Sequence, residues 1–424
     1  MADQLERYLK SKLSDGVDRR DFLKLGLTAT GMAAVAACGG NPTSGSSGSS
    51  GPTGPEFKVG AVLPESGVYA ELGKSITNGM QMYFDSVANQ AGNRKITMVS
   101  ADEQTALASA VAATKKVVEQ DSVDMVAGYV SSPNAAGNRD YLDGQKMPTL
   151  IANAGVNSLS RAAKSPFIYR TSFSNWQPSH PMGTYVAEKL GKKKIQLVYA
   201  KYGAGLESVA AFKETFTAAG GTIVGPDVAT PFPNNGDQTP FVQAINTGEI
   251  DGIYCFMSGT DAVSFLKKAA ELGTLKKVDL VSGSGFFVEQ DVLAAITDAA
   301  PLGALTGLHW ALTLDTKENQ DFVSKYSKKF AGRQADVFAV QGFDTARVIV
   351  DALNAVKGKT DDKLNFMKAI SHVAFQSPRG DFKFDPNTNN VVQTIYIRKV
   401  VHNSKLGWTN QVIDHYPGVA DPGK

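Results

Sequence analysis

Between residues 57 and 282, short and nearly uninterrupted apolar segments alternate with longer segments whose apolar residues recur every three or four positions. Residues 58–64 form the first apolar segment, and the segment after it places Leu72, Ile76, Met80 and Phe84 on one face. Uninterrupted apolar segments are typical of buried parallel strands, and the three/four spacing is typical of amphipathic helices. The pattern predicts an α/β fold with helices on both faces of parallel sheets.

The alternation occurs twice, first from residue 58 to about 152 and again from residue 194 to 282. Two such runs indicate two similar lobes and not one large sheet. Ligands of open parallel sheets bind beyond the carboxyl ends of the strands. The loops expected to face a ligand are therefore 64–72, 128–135, 152–158, 200–205, 256–260 and 282–291.

Length, charge and histidine spacing limit the possible functions. A chain of 424 residues exceeds one ordinary domain, and its net charge of +2 gives no electrostatic reason to expect a nucleic-acid partner. No two of the five histidines are spaced like a metal-binding pair, so we expect neither a metal site nor a cofactor.

The first 38 residues have the features of an export signal. Arg19 and Arg20 precede an apolar stretch, 25–37, which is shorter than the ~20 residues that span a membrane. Residues 35–38, Val-Ala-Ala-Cys, resemble a lipobox, in which the cysteine is lipidated and becomes the new amino terminus. We expect a twin-arginine lipoprotein signal peptide over 1–38 and a lipid anchor at Cys38, on a periplasmic or cell-surface protein.

Residues 39–56 are rich in Gly, Ser, Pro and Thr and are expected to form a flexible linker. With Cys38 consumed by the lipid, Cys255 remains as a single thiol, and no internal disulfide is possible.

The sequence lacks the phosphate-binding, dinucleotide-binding and nucleophile motifs that are common in α/β enzymes. Residues 67–75 approach a phosphate-binding loop, but five residues separate the two glycines where that motif needs four. No Gly-x-Gly-x-x-Gly or Gly-x-Ser-x-Gly motif is present. The sequence therefore favours a non-enzymatic protein.

Three of the expected loops carry polar groups. Ser131 and Ser132 precede a helix, where a hydroxyl either caps the helix or, with the backbone N–H groups, binds an anionic ligand. Residues 153–155 are positioned to expose backbone groups, and Tyr202 would project into a cleft. Aromatic residues are also frequent at these positions, which favours a cleft for an apolar or aromatic ligand body. They are Tyr69, Tyr129, Phe173, Trp176, Tyr202, Phe256, Phe286, Phe287 and Trp310.

Several segments together resemble the type I periplasmic binding protein family, in the branch of branched-chain amino acid and aromatic acid receptors. The segments that carry this resemblance are 59–73, 170–177, 202–205, 314–322, 340–346 and 375–385. The resemblance implies two doubly wound parallel-sheet lobes joined by three hinge crossovers. Their expected places are 173–177, 304–310 and 384–390, with 57–175 plus 307–386 as lobe 1 and 176–306 plus 387–415 as lobe 2.

The resemblance also implies a function. The lobes would close around a small-molecule solute, and the closed monomer would deliver it to the permease and ATPase subunits of an ABC importer. By residue matching, Ser132 and Ala154 would meet the carboxylate and polar head of the ligand, and Tyr202 would close from the other lobe. The full set of expected ligand-binding residues is Tyr69, Ser131, Ser132, Asn153, Ala154, Gly155, Trp176, Tyr202, Met257, Ser258 and Phe286.

Departures from the family pattern bear on the ligand. Amino acid receptors of this type hold the α-ammonium with an acid in the loop matching 282–286, and this chain has none there. Glu289 or Asp291 would be the substitutes if the loop is displaced. We therefore expect an aromatic or other apolar carboxylate as ligand. A branched-chain amino acid receptor, a ligand sensor of the same fold and an enzyme on a doubly wound sheet remain the alternatives.

Overall fold

The computed structural model describes residues 51–234 and 236–424, so the predicted signal peptide, Cys38 and most of the predicted linker lie outside the described residues. Six strands form a first sheet in the order β2-β3-β1-β4-β5-β6. They are β1 (Phe57–Leu63), β2 (Gln90–Ala91), β3 (Arg94–Asp102), β4 (Met125–Gly128), β5 (Thr149–Ile151) and β6 (Ile168–Arg170). Every pairing is parallel except that of β2 with β3.

Ten strands form a second sheet, whose main path runs β13-β14-β15-β12-β11-β10-β7-β8. They are β7 (Lys194–Ala200), β8 (Thr222–Ile223), β9 (Val228–Thr230), β10 (Gly252–Phe256), β11 (Leu280–Ser284), β12 (Leu305–Leu308), β13 (Ala374–Ser377), β14 (Gly380–Phe384), β15 (Val391–Asn403) and β16 (Gly407–Val419). Strands β7 to β12 pair in parallel, whereas β13 to β16 are antiparallel. The predicted α/β class is confirmed, with an antiparallel extension that the apolar pattern did not reveal.

The described helices pack on the faces of the two sheets. They are α1 (Ala70–Ser86), α2 (Leu107–Lys115), α3 (Ser132–Gly144), α4 (Trp176–Thr184), α5 (Gly203–Ala218), α6 (Thr239–Gln243), α7 (Gly259–Glu271), α8 (Gln290–Ile296), α9 (Lys317–Lys329), α10 (Val337–Ala355) and α11 (Lys363–Ser371). None of them is long and apolar enough to cross a membrane.

Helix α10 returns from the far end of the chain to pack along α1. Two glycines permit this close approach, because a Cβ at Gly79 would overlap the carbonyl oxygen of Ala339 and a Cβ at Gly342 would overlap that of Ile76. The contact joins residues more than 250 positions apart and places α10 on the first sheet. We call the part built on the first sheet the first lobe and the part built on the second sheet the second lobe.

The chain passes between the lobes at 171–175, between β6 and α4, and at 309–316, between β12 and α9. The third predicted crossover corresponds to 385–390, which connects β14 to β15, two strands that pair within the second sheet. Residues 307 and 308, which the sequence-based boundary assigned to lobe 1, pair with β11 or β15 of the second sheet. The remaining lobe boundaries stay a prediction.

A buried cation fastens the first crossover to α10 of the first lobe and to β15. Nε of Arg379 forms an ion pair with Oδ2 of Asp344 on α10 at 2.8 Å, and both side chains are inaccessible to solvent. The guanidinium also donates to the carbonyl oxygens of Thr171 and Ser172 and to Oε1 of Gln393. We call these five residues the crossover cluster. Because the cation is paired with a carboxylate and donates to three further oxygens, much of the cost of its burial is compensated.

Replacing Arg379 by methionine should strongly destabilise the fold. The change leaves the Asp344 carboxylate buried without its cation, and breaking such a buried pair costs about 3–5 kcal/mol. The midpoint of urea unfolding should fall accordingly. Lys268→Met, which removes an exposed pair with Glu271, is the control and should leave the midpoint nearly unchanged. Equal midpoints for the Arg379 variant and the wild type would contradict a structural role for the cluster.

Candidate functional site

A small cavity lies where the strand-end loops of both lobes meet. Its lining is aromatic and neutral polar, with no acidic or basic side chain. The lining residues are Tyr69, Leu72, Val130, Ser132, Asn153, Gly155, Phe173, Asn175, Tyr202, Ala204, Phe256, Ser258, Phe286 and Phe338. All but three come from the loops at the carboxyl ends of parallel strands, as expected for open sheets.

Aromatic rings form the apolar wall of the cavity. The centroid of Phe286 lies 4.8 Å from that of Phe173, 5.9 Å from that of Phe338 and 6.5 Å from that of Phe256. These spacings are those of attractive aromatic pairs. Since Phe173 belongs to the first crossover, Phe338 to α10 and Phe286 to the second lobe, the wall exists only where the lobes meet.

Two tyrosines join the lobes across the cavity. The hydroxyl oxygens of Tyr69 in the first lobe and Tyr202 in the second lie 2.6 Å apart, and Oγ of Ser258 lies 3.5 Å from the Tyr69 hydroxyl. The ring of Phe232 stacks on that of Tyr202 at 4.0 Å. Burial raises the pKa of both tyrosines, so their hydroxyls stay protonated. One hydroxyl donates to the other, which leaves the proton of the second available to a ligand.

Apart from the tyrosine pair, amide and hydroxyl groups form a second polar region of the cavity. Nδ2 of Asn175 reaches Oγ of Ser132 at 3.4 Å, and Nδ2 of Asn153 donates to Oε1 of Gln341 at 2.8 Å. Gly155 must lack a side chain, because a Cβ there would overlap Oδ1 of Asn175 and lie 2.6 Å from Cε2 of Phe173. The region therefore offers a hydroxyl, amide groups and exposed backbone, all without formal charge.

A family model described as periplasmic binding protein matches residues 56–405. The chain belongs to the periplasmic binding protein family. This is a family of solute-binding receptors and not an enzyme family, and the resemblance drawn from the sequence is confirmed.

Individual relatives cover most of the chain. Leu/Ile/Val-binding protein homolog 6 of Brucella melitensis is 30% identical over 370 residues, 86% of this chain and 93% of the relative. The structure of an ABC transporter solute-binding protein from R. palustris, in complex with benzoate, has a TM-score of 0.81 at 34% identity and covers 87% of this chain and 98% of that chain. Another, from R. palustris BisB5 in complex with 3,4-dihydroxy benzoic acid, has a TM-score of 0.81 at 31% identity, covering 87% and 99%.

Seven of the eleven residues that the sequence singled out line this receptor cavity. They are Tyr69, Ser132, Asn153, Gly155, Tyr202, Ser258 and Phe286. Their part in ligand binding stays a prediction, but their convergence fits the family's cleft.

Ser131 does not line the cavity, contrary to the prediction. The backbone N–H groups of Val130 and Ser131 donate to the carboxylate of Glu103 at 2.7 and 2.9 Å, and Nδ2 of Asn134 donates to it at 3.1 Å. Burial raises the pKa of Glu103 to about 8, while these donors act in the opposite direction. An internal carboxylate thus occupies the start of α3, where the sequence placed a ligand anion.

Three other predicted residues also lie outside the lining. Ala154 and Met257 are fully buried in apolar core clusters, because they alternate with the residues that face the cavity. Trp176 stacks on His180 at 3.9 Å and begins α4. Their positions in the chain were adjacent to the site, but their side chains point elsewhere.

Neither acid proposed as an ammonium partner reaches the cavity. Glu289 forms an ion pair with Nη1 of Arg398 at 2.7 Å and accepts the backbone N–H of Val337 at 3.0 Å. Asp291 is buried beside a different cleft, formed by α8 and the loop before α10. Among the described residues, the family's ammonium-binding acid therefore has no counterpart in the cavity lining.

Sequence reasoning missed seven lining residues. They are Leu72, Val130, Phe173, Asn175, Ala204, Phe256 and Phe338. Most lie within the expected loops, and Phe173 and Phe256 stood among the aromatic residues already noted. Asn175 and Phe338 had no such signal, since one comes from a crossover and the other from the first turn of α10.

A side chain at residue 155 should distort the cavity. Gly155→Ala would overlap Asn175 and crowd Phe173, and overpacking of this kind costs about 1–3 kcal/mol. Calorimetric unfolding should show the loss. Gly144→Ala is the matched control, because nothing lies within 4 Å of its Cβ, and it should be neutral or stabilise by up to about 1 kcal/mol. Equal stability of the two variants would exclude the tight packing at residue 155.

Proposed function

We propose that this protein is the receptor of an ABC importer for an aromatic carboxylate and that it binds this ligand by closing its two lobes. The observation that carries the proposal is the cavity lining: aromatic rings with neutral hydroxyl and amide groups, and no carboxylate. Such a site accepts a flat apolar ring and donates hydrogen bonds to an acid.

The lining disfavours an amino acid as ligand. An α-ammonium buried without an anionic partner costs several kcal/mol, because its lost hydration is not replaced. The carboxylates nearest in the hydrogen-bond network are already bonded: Glu207 accepts from Asn175 and Asn157, and Asp261 accepts from the backbone of Asn234. A ligand without an amine avoids this cost.

The cavity can hold a carboxylate without a cation. The hydroxyl of Ser132 and one of the two paired hydroxyls of Tyr69 and Tyr202 are available as donors. Neutral hydroxyl donors can together stabilise an anion. The relatives support this chemistry, since the two R. palustris proteins were solved with benzoate and 3,4-dihydroxy benzoic acid.

A thermal-shift comparison tests the ligand class. The soluble body, residues 57–424, should be stabilised by benzoate, by about 2.7 kcal/mol at a hundredfold excess over Kd. Leucine and phenylalanine, which both add an ammonium, should give no shift. Phenylalanine keeps the aromatic ring and the carboxylate, and 3-phenylpropanoate, which lacks only its amine, is the matched control that isolates the effect of the amine.

The second candidate is a branched-chain amino acid receptor, which the name of the B. melitensis relative favours. A shift with leucine and none with benzoate would support that candidate and overturn the aromatic acid. In that case Glu207 or Asp261 would have to release its present partners to meet the ammonium.

We further propose that the receptor is held at the membrane by a lipid on Cys38 and hands its solute to permease and ATPase subunits. The lipobox at 35–38, the preceding arginine pair and the family support this arrangement.

Cys38→Ser should abolish the anchor. In cells fed labelled palmitate, the variant should lose the label and leave the membrane fraction, because serine offers no thiol for acylation. Cys255→Ala is the control and should remain labelled, since Cys255 is buried in β10 of the second sheet. Retention of label and membrane association by the Cys38 variant would overturn the anchor.

A further inference from the structure

The carboxylate of Glu207 lies behind the polar region of the cavity and bridges the two lobes. Glu207 is on α5 of the second lobe, and both its oxygens accept the backbone N–H of Asn157 in the first lobe, at 3.0 and 3.2 Å. Its Oε2 also accepts Nδ2 of Asn175, in the first crossover, at 2.8 Å. One side chain thus contacts the opposite lobe and a hinge segment together.

Asn175 connects Glu207 to Ser132 in the cavity lining. Its Nδ2 has two hydrogens: one is donated to Glu207, and the other is directed to Oγ of Ser132, 3.4 Å away. A carboxylate can only accept, so Glu207 fixes which end of the Asn175 amide faces it. Because Ser132 then accepts from Asn175, its own hydroxyl proton remains available for a ligand.

The first lobe presents positive charge to Glu207. Burial raises the pKa of this carboxyl, whereas Asn175, Asn157, Arg170 and Arg161 act to lower it. Arg170 is itself fully buried, and its Nη1 donates to carbonyl oxygens of the loop that precedes Asn157. The closed arrangement therefore supplies Glu207 with donors and cations that belong to the other lobe.

We infer that Glu207 is a positioning residue that couples closure of the lobes to the hydrogen-bond donors of the cavity. The inference rests on the proposed function. When the lobes separate, α5 moves with the second lobe and Glu207 leaves Asn157. The Asn175 amide then loses its fixed orientation, and Ser132 no longer presents its proton in a defined direction. The donor set that receives a carboxylate is complete only in the closed form.

Substitution of Glu207 should weaken ligand binding with little effect on the ligand-free fold. Glu207→Ala should raise the Kd for benzoate about ten- to a hundredfold, as expected for lost hydrogen bonds to a charged group. Glu207→Gln retains one acceptor oxygen and should recover part of the affinity. Glu214→Ala removes an exposed carboxylate from the same helix and should bind benzoate like the wild type. Isothermal titration measures all four proteins.

A double-mutant cycle separates positioning from independent contacts. If Glu207 acts through Asn175, the Kd of Glu207→Ala/Asn175→Ala should be close to that of the worse single variant. Additive effects of the two substitutions, or an unchanged Kd for Glu207→Ala, would overturn the inference. Small-angle scattering should also show less compaction of Glu207→Ala than of the wild type at the same benzoate concentration.

Hydrogen exchange tests the inter-lobe contact directly. In the wild type the amide of Asn157 should exchange more slowly with benzoate than without it, and Glu207→Ala should lose this gain because the acceptor is gone, while core strand β4 keeps its protection in both. Benzoate binding by the wild type without added protection at Asn157 would overturn the inference. Absence of benzoate binding by the wild type would instead overturn the proposed function.

Discussion

The ion pair between Arg379 and Asp344 is the constraint on which the two-lobed arrangement depends. Its cation precedes β14, bonds to carbonyl oxygens of the first crossover and is held by a helix of the first lobe. The pair therefore fixes the first crossover, which carries Phe173 and Asn175 of the cavity lining, to α10, which carries Phe338.

Three carboxyl groups accept backbone N–H groups at the starts of helical segments. Glu103 does so before α3, Glu207 at the turn beginning with Asn157, and Glu289 at the start of α10. Such N–H groups are ready sites for anions. Since the chain supplies its own acceptors there, these positions serve loop geometry and contact between lobes. Recognition is left to the hydroxyl, amide and aromatic groups between them.

The apolar pattern was sufficient to predict the parallel strands of both sheets and most of the loops that line the cavity, because strand direction alone fixes which loops gather at one end. Tyr69, Tyr202 and Phe286 follow from that rule. The direction of each side chain does not: Ala154 alternates into the core between Asn153 and Gly155. The sequence pattern does not predict that Phe338 lines the cavity, because this residue is brought to the site only by the packing of α10 on α1. The carboxylate at the start of α3 was equally hidden, because it comes from the end of another strand.

The lack of charged side chains in the cavity lining also bears on how a charged ligand would associate with the protein. Long-range attraction between a charged site and a small anion is screened by salt within about 10 Å at 0.1 M ionic strength. For the proposed aromatic acid the attraction would arise from short-range hydrogen bonds and ring contacts, since the cavity lining holds no charged side chain and the whole chain is nearly neutral at +2. Binding through such contacts would depend little on the ionic strength of the surroundings.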